Sequence, residues 1–391
     1  MEKVTIDYAR HNEEVYRIQN AFSRGENERV LMDLATNPRI ILMDPELNED
    51  RTTFEQYMND PATMVKIQLK YVEYRDTQMV YDHIMGPDNI RYDCYADFQN
   101  ITEPAWFGCP VYYPAGGEPA ARHFLEDEDK YKYIKRGPID PLGGIIDRCL
   151  SYIEYFKKLE KEGYSYQGKP VHALNYVSGS GTDGPMTNAC SIRGATAMCI
   201  DLYEDPDYAM ELLNYITENT IARIKAIRKH LGQPEKSPSF GFADDSIALL
   251  SCEDYEKFVL PFHRRLIEEL STGEQPNSIH LCGDATRHFP AIVRELNVKA
   301  FDTGYPVRHG ELVRKLGGDV MISGGVHVDI LRSGTPEQVT SETRRILDEV
   351  LPCRNFRIKE ANNLSPRTPP RNILAMYETV KQYGKYQRAD S

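Results

Sequence analysis

The chain has 391 residues, of which 41% are hydrophobic and 27% charged, as in a globular protein rather than a disordered or fibrous one. Its formal net charge of −12 argues against a nucleic-acid partner, because phosphate binding needs clustered Lys and Arg. No apolar secretory segment or membrane-spanning run is present in the sequence. The 8 cysteines are scattered without a CxxC pair, which is typical of reduced thiols, so we expect a soluble cytoplasmic protein.

The N-terminal third is predicted to be mainly helical. Apolar residues recur at helical spacing over 8–28 and over 52–75, and the short run at 30–34 has the composition of a first strand. Residues 86–140 are rich in Tyr, Pro and Gly, which predicts an insertion of loops and hairpins. A long insertion of this kind often serves as a lid or binding loop.

Helices and strands alternate regularly after residue 140. Strands are predicted at 170–177, 238–243, 277–282, 298–303, 318–323 and 355–360. Helices are predicted at 141–163, 189–202, 205–232, 252–272, 286–296, 309–316, 336–350 and 369–384. So many βα units in series favour a parallel sheet closed into a barrel. The predicted fold is an α/β protein, a (β/α)8 TIM barrel of one domain over 1–391, with an N-terminal helical extension and the 86–140 insertion.

Polar residues at the ends of the late strands are the candidates for function, because the active site of a βα barrel lies where its strands end. Asp244 and Asp245 follow one strand, Asp302 ends another, and His327 lies just beyond a third. Since neighbouring residues of a strand point to opposite faces, one of the two adjacent aspartates is expected to face the pocket as a general base or substrate anchor. A helix cap is the structural alternative for these aspartates.

His280 and Cys282 form the sharpest candidate pair. Residues two apart in a strand point to the same face, so an imidazole and a thiolate can converge on one ion. Zn²⁺ accepts nitrogen and sulfur ligands, and a catalytic zinc keeps one position open beside three protein ligands. We prefer Glu360 as the third ligand because it ends the last strand at the barrel top, with Cys353 below that strand as the fallback. A buried cysteine beside a core histidine is the structural alternative.

From about residue 170 to its end, the chain resembles the uroporphyrinogen decarboxylase superfamily, which includes corrinoid-dependent methyltransferases. The matching motifs include Gly184-Pro185-Met186-Thr187, Phe242-Ala243-Asp244-Asp245, His280-Leu281-Cys282-Gly283, Gly324-Gly325-Val326-His327 and Thr368-Pro369-Pro370-Arg371-Asn372. Against the decarboxylases, Arg39 and Asp82 match one arginine and the aspartate that hold the tetrapyrrole. Ala35 stands at the second arginine position and Asn362 at the late histidine position, which speaks against porphyrinogen decarboxylation.

The methyltransferases of this superfamily hold zinc with HxC and a late cysteine. His280 and Cys282 match the first part, while the late cysteine falls near Asn362. The segments 301–307 and 356–364 resemble O-demethylating members from anaerobes. This resemblance implies Asp245 or His327 as proton donor or anchor. The implied substrate-binding residues are Asp82, Asp244, Asp302, Tyr305 and Asn363.

The resemblance implies a corrinoid-dependent methyltransferase with Zn²⁺ as cofactor. Its methyl donor would be a small methylated substrate, such as a methoxylated aromatic in an O-demethylation, and the acceptor would be the cobalamin of a separate corrinoid protein. The alternatives are a carboxy-lyase like uroporphyrinogen decarboxylase and a non-catalytic relative that binds a methylated ligand or a corrinoid partner. A homodimer is left open.

Overall fold

A computed structural model describes residues 3–386. Its strands are β1 Leu31–Met32, β2 Tyr92–Ala96, β3 Val111–Tyr112, β4 Ala120–Ala121, β5 Ser165–Tyr166, β6 Lys169–Val177, β7 Gly241–Ala243, β8 Asn277–Leu281, β9 Val298–Thr303, β10 Met321–Val326 and β11 Phe356–Glu360. Its α-helices are α1 Tyr8–Ser23, α2 Arg39–Leu42, α3 Phe54–Asn59, α4 Pro61–Gln78, α5 Thr102–Phe107, α6 Lys130–Ile134, α7 Ile145–Lys161, α8 Pro185–Arg193, α9 Ala195–Glu204, α10 Pro206–His230, α11 Cys252–Asp254, α12 Leu260–Leu270, α13 Phe289–Leu296, α14 His309–Leu316, α15 Val328–Ser333, α16 Pro336–Val350 and α17 Pro370–Tyr383.

The central sheet has six parallel strands in the order β1-β11-β10-β9-β8-β7. A second parallel pair, β2 with β6, continues the βα succession, and β5 adds to β6 as an antiparallel strand. Helices lie between successive parallel strands throughout, from β1 to β11. The predicted α/β barrel with parallel strands and outer helices is confirmed.

The late βα units form because their sequences carry both a buried strand and a well-capped helix. In β11, Phe356, Ile358 and Glu360 are fully enclosed. α16 starts with a capping box, in which Thr335 Oγ1 accepts from Gln338 N at 3.3 Å and Gln338 Oε1 accepts from Thr335 N at 2.8 Å. The apolar stripe of α16 then packs against the strands, which holds their carboxyl ends at one rim.

The segment 86–140 differs from the prediction. It contains the β3–β4 hairpin, as expected, but also the barrel strand β2, in which Tyr92, Cys94 and Ala96 are buried and the residues between them are less so. The alternation of buried and less buried residues is not evident from the sequence, because Asp93 and the surrounding tyrosines are polar or amphipathic. The predicted helix 189–202 begins earlier, at Pro185, and breaks at Gly194, whose φ of 90° ends α8.

The core is one continuous apolar cluster that runs from β1 and α2 to α17. Within residues 3–386, none of the helices combines the length and apolar composition needed to cross a bilayer.

Candidate functional site

A cavity of about 580 Å³ opens where β7 to β11 end. Seven of the predicted site residues line it: Asp245, His280, Cys282, Asp302, Tyr305, His327 and Asn363. Because parallel strands carry their carboxyl ends to the same rim, residues far apart in sequence meet here. The cavity is therefore the candidate site of the chain.

Three side chains at its floor form a group that could hold a metal ion. Asp245, His280 and Cys282 each offer a ligand atom, and these atoms lie within 4.8 Å of one another. His280 Nε2 is 3.0 Å from Cys282 Sγ, and Asp245 Oδ1 accepts a hydrogen bond from Cys282 N at 2.6 Å. Nitrogen, sulfur and carboxylate oxygen are zinc ligands, and three of them leave a fourth position free, so these residues fit a catalytic zinc.

Asp302 orients the imidazole of His280. Its Oδ2 lies 2.8 Å from His280 Nδ1, and its Oδ1 accepts from Lys359 Nζ at 2.8 Å. In the tautomer that donates from Nδ1 to Asp302, the lone pair of Nε2 points toward Cys282, which is the arrangement metal-binding histidines use. A carboxylate behind the ring thus completes the metal-binding group.

The protonation of this group follows from the same contacts. Burial by itself lowers the pKa of His280, but the hydrogen bonds with Asp302 and Cys282 outweigh it and raise the pKa to about 10. Burial raises the pKa of Asp302, yet His280 and Lys359 outweigh this and hold it below its usual value. A metal ion binding here would therefore release protons from the site.

Gly304 makes room for the thiol of Cys282. A Cβ atom at this position would lie 2.9 Å from Cys282 Sγ, which is closer than a methyl group and a sulfur atom can approach. Gly304 N also donates to Leu281 O at 3.2 Å, so the backbone is held against the thiol. The end of β9 thereby fixes the position of a proposed ligand on the neighbouring strand.

Glu360, the predicted third ligand, lies outside this group. Its side chain is fully buried, Oε1 accepts from Ala35 N at 3.0 Å, and Lys359 Nζ lies 3.7 Å away. Burial raises the pKa of Glu360 to about 8, so the carboxyl group is largely uncharged at neutral pH. Cys353, the fallback ligand, precedes β11 and thus lies toward the opposite end of that strand. The structure groups Asp245 with His280 and Cys282 instead.

Asp244 has a structural position that does not fit the predicted substrate contact. It is fully buried and accepts from Met186 N at 3.1 Å and Thr187 N at 2.7 Å, at the start of α8. Its Oδ2 also lies 2.8 Å from His263 Nε2. Of the two adjacent aspartates, Asp245 lines the cavity, whereas Asp244 stabilises a helix N-terminus.

Asp82, which the resemblance implied as a substrate-binding residue, is also placed structurally. Its two carboxylate oxygens accept from Arg29 Nη1 at 2.8 Å and Arg29 Nη2 at 2.7 Å, and Oδ2 accepts from Met32 N at 2.7 Å. Both charged side chains are buried. The carboxylate is thus used in fixing β1 and lies away from the cavity lining.

Tyr305 and His327 form the outer wall of the cavity. Their rings meet edge to face with centroids 4.3 Å apart, and Tyr305 keeps 60% of its surface exposed. His327 Nδ1 accepts from Asp329 N at 3.2 Å, which caps α15 and fixes the ring. These two residues are therefore in place to contact a ligand that enters the mouth.

The cavity also contains residues that were not candidates from the sequence, together with Arg39, which matched a family arginine. Arg39 and Glu118 line it and form an ion pair, and Asn100 joins them from the predicted insertion. Asp183 lines it from the loop after β6, where burial and the nearby carboxylates of Glu103 and Asp245 raise its pKa to about 7. The strand-end rule would have identified Asp183, whereas nothing local to Glu118 signals its partner 79 residues away.

The family profile described as uroporphyrinogen decarboxylase (URO-D) matches residues 17–383. A methylated-thiol–coenzyme M methyltransferase from Methanosarcina mazei is 32% identical over 206 residues, which cover 51% of this chain and 51% of the relative. This alignment spans about half the length of that relative. The methylcobamide:CoM methyltransferase MtbA from Methanosarcina mazei is 24% identical over 73% of this chain and 78% of its own.

A uroporphyrinogen decarboxylase from Rickettsia akari is 23% identical over 72% of this chain and 78% of its own. Among solved structures, a methyltransferase from Methanosarcina mazei superposes with a TM-score of 0.62 at 14% identity, covering 94% of this chain and 98% of that one. At this identity the likeness shows the fold alone.

Proposed function

The chain belongs to the uroporphyrinogen decarboxylase (URO-D) family, and from that premise we propose that it is a methyltransferase, which moves a methyl group from a small methylated substrate to a corrinoid protein. The observation that carries this proposal is the group of Asp245, His280 and Cys282 at the barrel mouth. The names of the methylated-thiol and methylcobamide relatives support it.

The proposed zinc ligands are His280, Cys282 and Asp245, the last in place of the predicted Glu360. Zinc bound there would supply Lewis-acid chemistry by polarising the atom that carries the methyl group. Asp302 would hold the His280 ring in its ligating orientation, and Gly304 would leave the thiol in place. A Lewis acid is useful because a thiolate or phenolate leaves a methyl carbon reluctantly.

The remaining residues of the cavity have proposed roles in binding and proton transfer. His327 is proposed as the proton donor or anchor at the leaving atom, since it faces the cavity with its ring fixed by Asp329 N. Tyr305, Asp302 and Asn363 are proposed to contact substrate. The methyl carbon would pass to the Cob(I)alamin of the corrinoid protein, which supplies the electron pair of the new bond. The electron pair of the broken bond would stay on the leaving atom, and a proton would then neutralise that atom.

Two substrate classes follow from different sources. The name of the methylated-thiol–coenzyme M methyltransferase favours a methylated thiol, and the segments 301–307 and 356–364 favour a methoxylated aromatic. The carboxy-lyase alternative is less favoured, because Arg39 is paired with Glu118 and Asp82 with Arg29. The two residues that match the tetrapyrrole-holding positions are thus already paired within the chain.

The test is a metal analysis joined to a transfer assay on protein purified without chelator. We expect near-stoichiometric zinc and methylation of added Cob(I)alamin, a surrogate for the corrinoid protein, with dimethyl sulfide and methoxybenzoate as competing donors. Cys282→Ala is expected to lose the metal and the transfer, whereas Cys353→Ala keeps both. Full transfer by metal-free protein would refute the zinc-dependent mechanism, and no transfer from either donor by zinc-loaded protein would refute these two substrate classes.

A further inference from the structure

A second cavity of about 610 Å³ lies at the ends of β2 and β6, beside the proposed metal site. The two cavities share four lining residues: Arg39, Asn100, Asp183 and Asn363. Its volume is in the range of sites for small molecules, roughly 300–1,000 Å³. A compound bound in this second cavity could therefore present one end to the first.

Two tyrosine rings form one wall of the second cavity. Tyr95 comes from β2 and Tyr176 from β6, and their ring centroids lie 5.8 Å apart at 59°. Tyr176 is 48% exposed although the cavity encloses part of it, so an aromatic surface remains free for a ligand. The faces of such rings carry negative electrostatic potential and attract cations, most effectively alkylated ammonium groups.

The charged residues of this cavity leave an excess of negative charge. Glu103 is paired with Arg223, and Arg39 is paired with Glu118. Two further carboxyl groups, Asp97 and Asp183, line the same space. Within residues 3–386, neither Asp97 nor Asp183 has an ion-pair partner.

The pKa values of Asp97 and Asp183 are consistent with this excess of negative charge. Burial raises the pKa of Asp97, whose carboxylate accepts from Tyr57 OH at 2.7 Å. Burial, with Glu103 and Asp245 nearby, raises the pKa of Asp183 to about 7. A cation in the cavity would relieve both effects, and its place would differ from that of a metal at His280 and Cys282, because Tyr95, Tyr176 and Asp97 do not line the first cavity.

We propose that the second cavity binds the cationic group of a methylated ammonium or sulfonium compound, with Tyr95 and Tyr176 against its methyl groups and Asp183 facing its charge. The proposal rests on the proposed function only where the other end of this compound reaches the metal site as the methyl donor. Binding itself is independent of the metal site.

The test compares two probes of equal shape by isothermal titration calorimetry on the full chain. Choline carries a trimethylammonium group, and 3,3-dimethylbutan-1-ol carries a neutral tert-butyl group in its place. We expect choline to bind at least tenfold more tightly than the alcohol. Equal affinity of the two probes, or no binding of choline, would overturn the proposal.

Three variants locate the binding. Tyr176→Leu is expected to weaken choline binding about tenfold, whereas Tyr176→Phe keeps it within about threefold, because phenylalanine retains the aromatic face. Asp183→Asn is expected to weaken it several-fold. Equal losses of choline affinity in Tyr176→Leu and Tyr176→Phe would contradict the proposed role of the aromatic ring. Zinc content is measured in each variant and is expected to stay unchanged, so a failure here is distinct from a failure of the metal-centred function.

Discussion

The half of the barrel mouth built by β7 to β11 is held by a continuous ladder of paired strands, whereas the half built by the β2–β6 pair also depends on buried side chains. In the first half, β8 and β9 pair so that His280 lies directly beside Asp302. β7 pairs with β8 so that Ala243, two residues before Asp245, lies beside His280. The metal-binding group is thus set by strand register.

The second half depends on a buried network around Glu103. Its carboxylate is paired with Arg223 and accepts from Asp183 N and from Asn188 Nδ2, the latter at 3.2 Å. Arg223 is fully buried and also donates to Gly181 O at 2.9 Å. The sheet therefore determines the geometry of the metal-binding group. The shape of the second cavity is determined instead by charged side chains that hold its loops together.

The largest effect is expected from Glu103→Ala. Removing one partner of a buried ion pair leaves the other charge uncompensated, which costs about 3–5 kcal/mol. We expect the free energy of unfolding, measured in urea, to fall by this amount. Glu154→Ala is the control, because Glu154 pairs with Lys157 on the surface and contributes little. A loss below 1 kcal/mol for Glu103→Ala would show that the second half does not depend on this network.

Glu360, at the end of β11, tests whether the β7–β11 half also depends on buried charged side chains. Its folded pKa of about 8 lies above the ordinary value of 4.5, so the folded state binds the proton more tightly. The stability from this group is therefore fully present below about pH 4.5 and is lost progressively as the pH rises to about 8. We expect Glu360→Gln to remove this loss, which is on the order of 3–5 kcal/mol.

The measurement for Glu360 is the free energy of unfolding in urea at pH 5 and at pH 9, with chelator present in both. The natural chain should lose more stability than Glu360→Gln over this interval. Parallel pH profiles for the two proteins would contradict the expected protonation of Glu360.

Asp302→Asn should weaken metal binding. The amide keeps the shape of the side chain but accepts less strongly from His280, and such changes behind a metal ligand cost about 10–100-fold in affinity. Zinc affinity is measured by competition with a chromophoric chelator. Asp319→Asn on the surface is the control. Unchanged zinc affinity in Asp302→Asn would mean that strand register alone orients His280.

Gly304→Ala should give the smallest effect. The added Cβ would press on Cys282 Sγ, and we expect zinc affinity to fall about tenfold as the thiol shifts. Gly318→Ala is a matched control, since a Cβ there meets nothing within 4 Å. Equal affinities of the two variants would indicate that the thiol can move without loss.

The regular half of the fold could be predicted because its strands and helices are local patterns. β8, β9 and β11 lie within one residue of their predicted bounds, and the pairing of His280 with Cys282 followed from their spacing. Asp245 in the metal-binding group could not be derived, because its place beside His280 depends on how β7 pairs with β8. The register between two strands some 35 residues apart cannot be predicted from the local sequence of either strand.

The N-terminal half could be predicted less well because its interactions are long-range. β2 was hidden in a tyrosine-rich segment, and its strand character depends on pairing with β6. Asp82 resembled a family aspartate, but Arg29, 53 residues away, holds it in the structure. A match to a family motif predicts which residue type stands at a position. The partner of that residue depends on the fold.

In the part of the chain that the structure describes, β6 and β7 are not paired as strands, and one backbone hydrogen bond, from Ala243 N to Thr182 O at 3.0 Å, joins their ends. This seam has an evolutionary consequence. Substitutions on the β2–β6 side can alter which compounds are accepted while the ligands on β8 keep their geometry. After gene duplication, one copy could therefore change the methyl donors it accepts while its metal-binding residues stay the same.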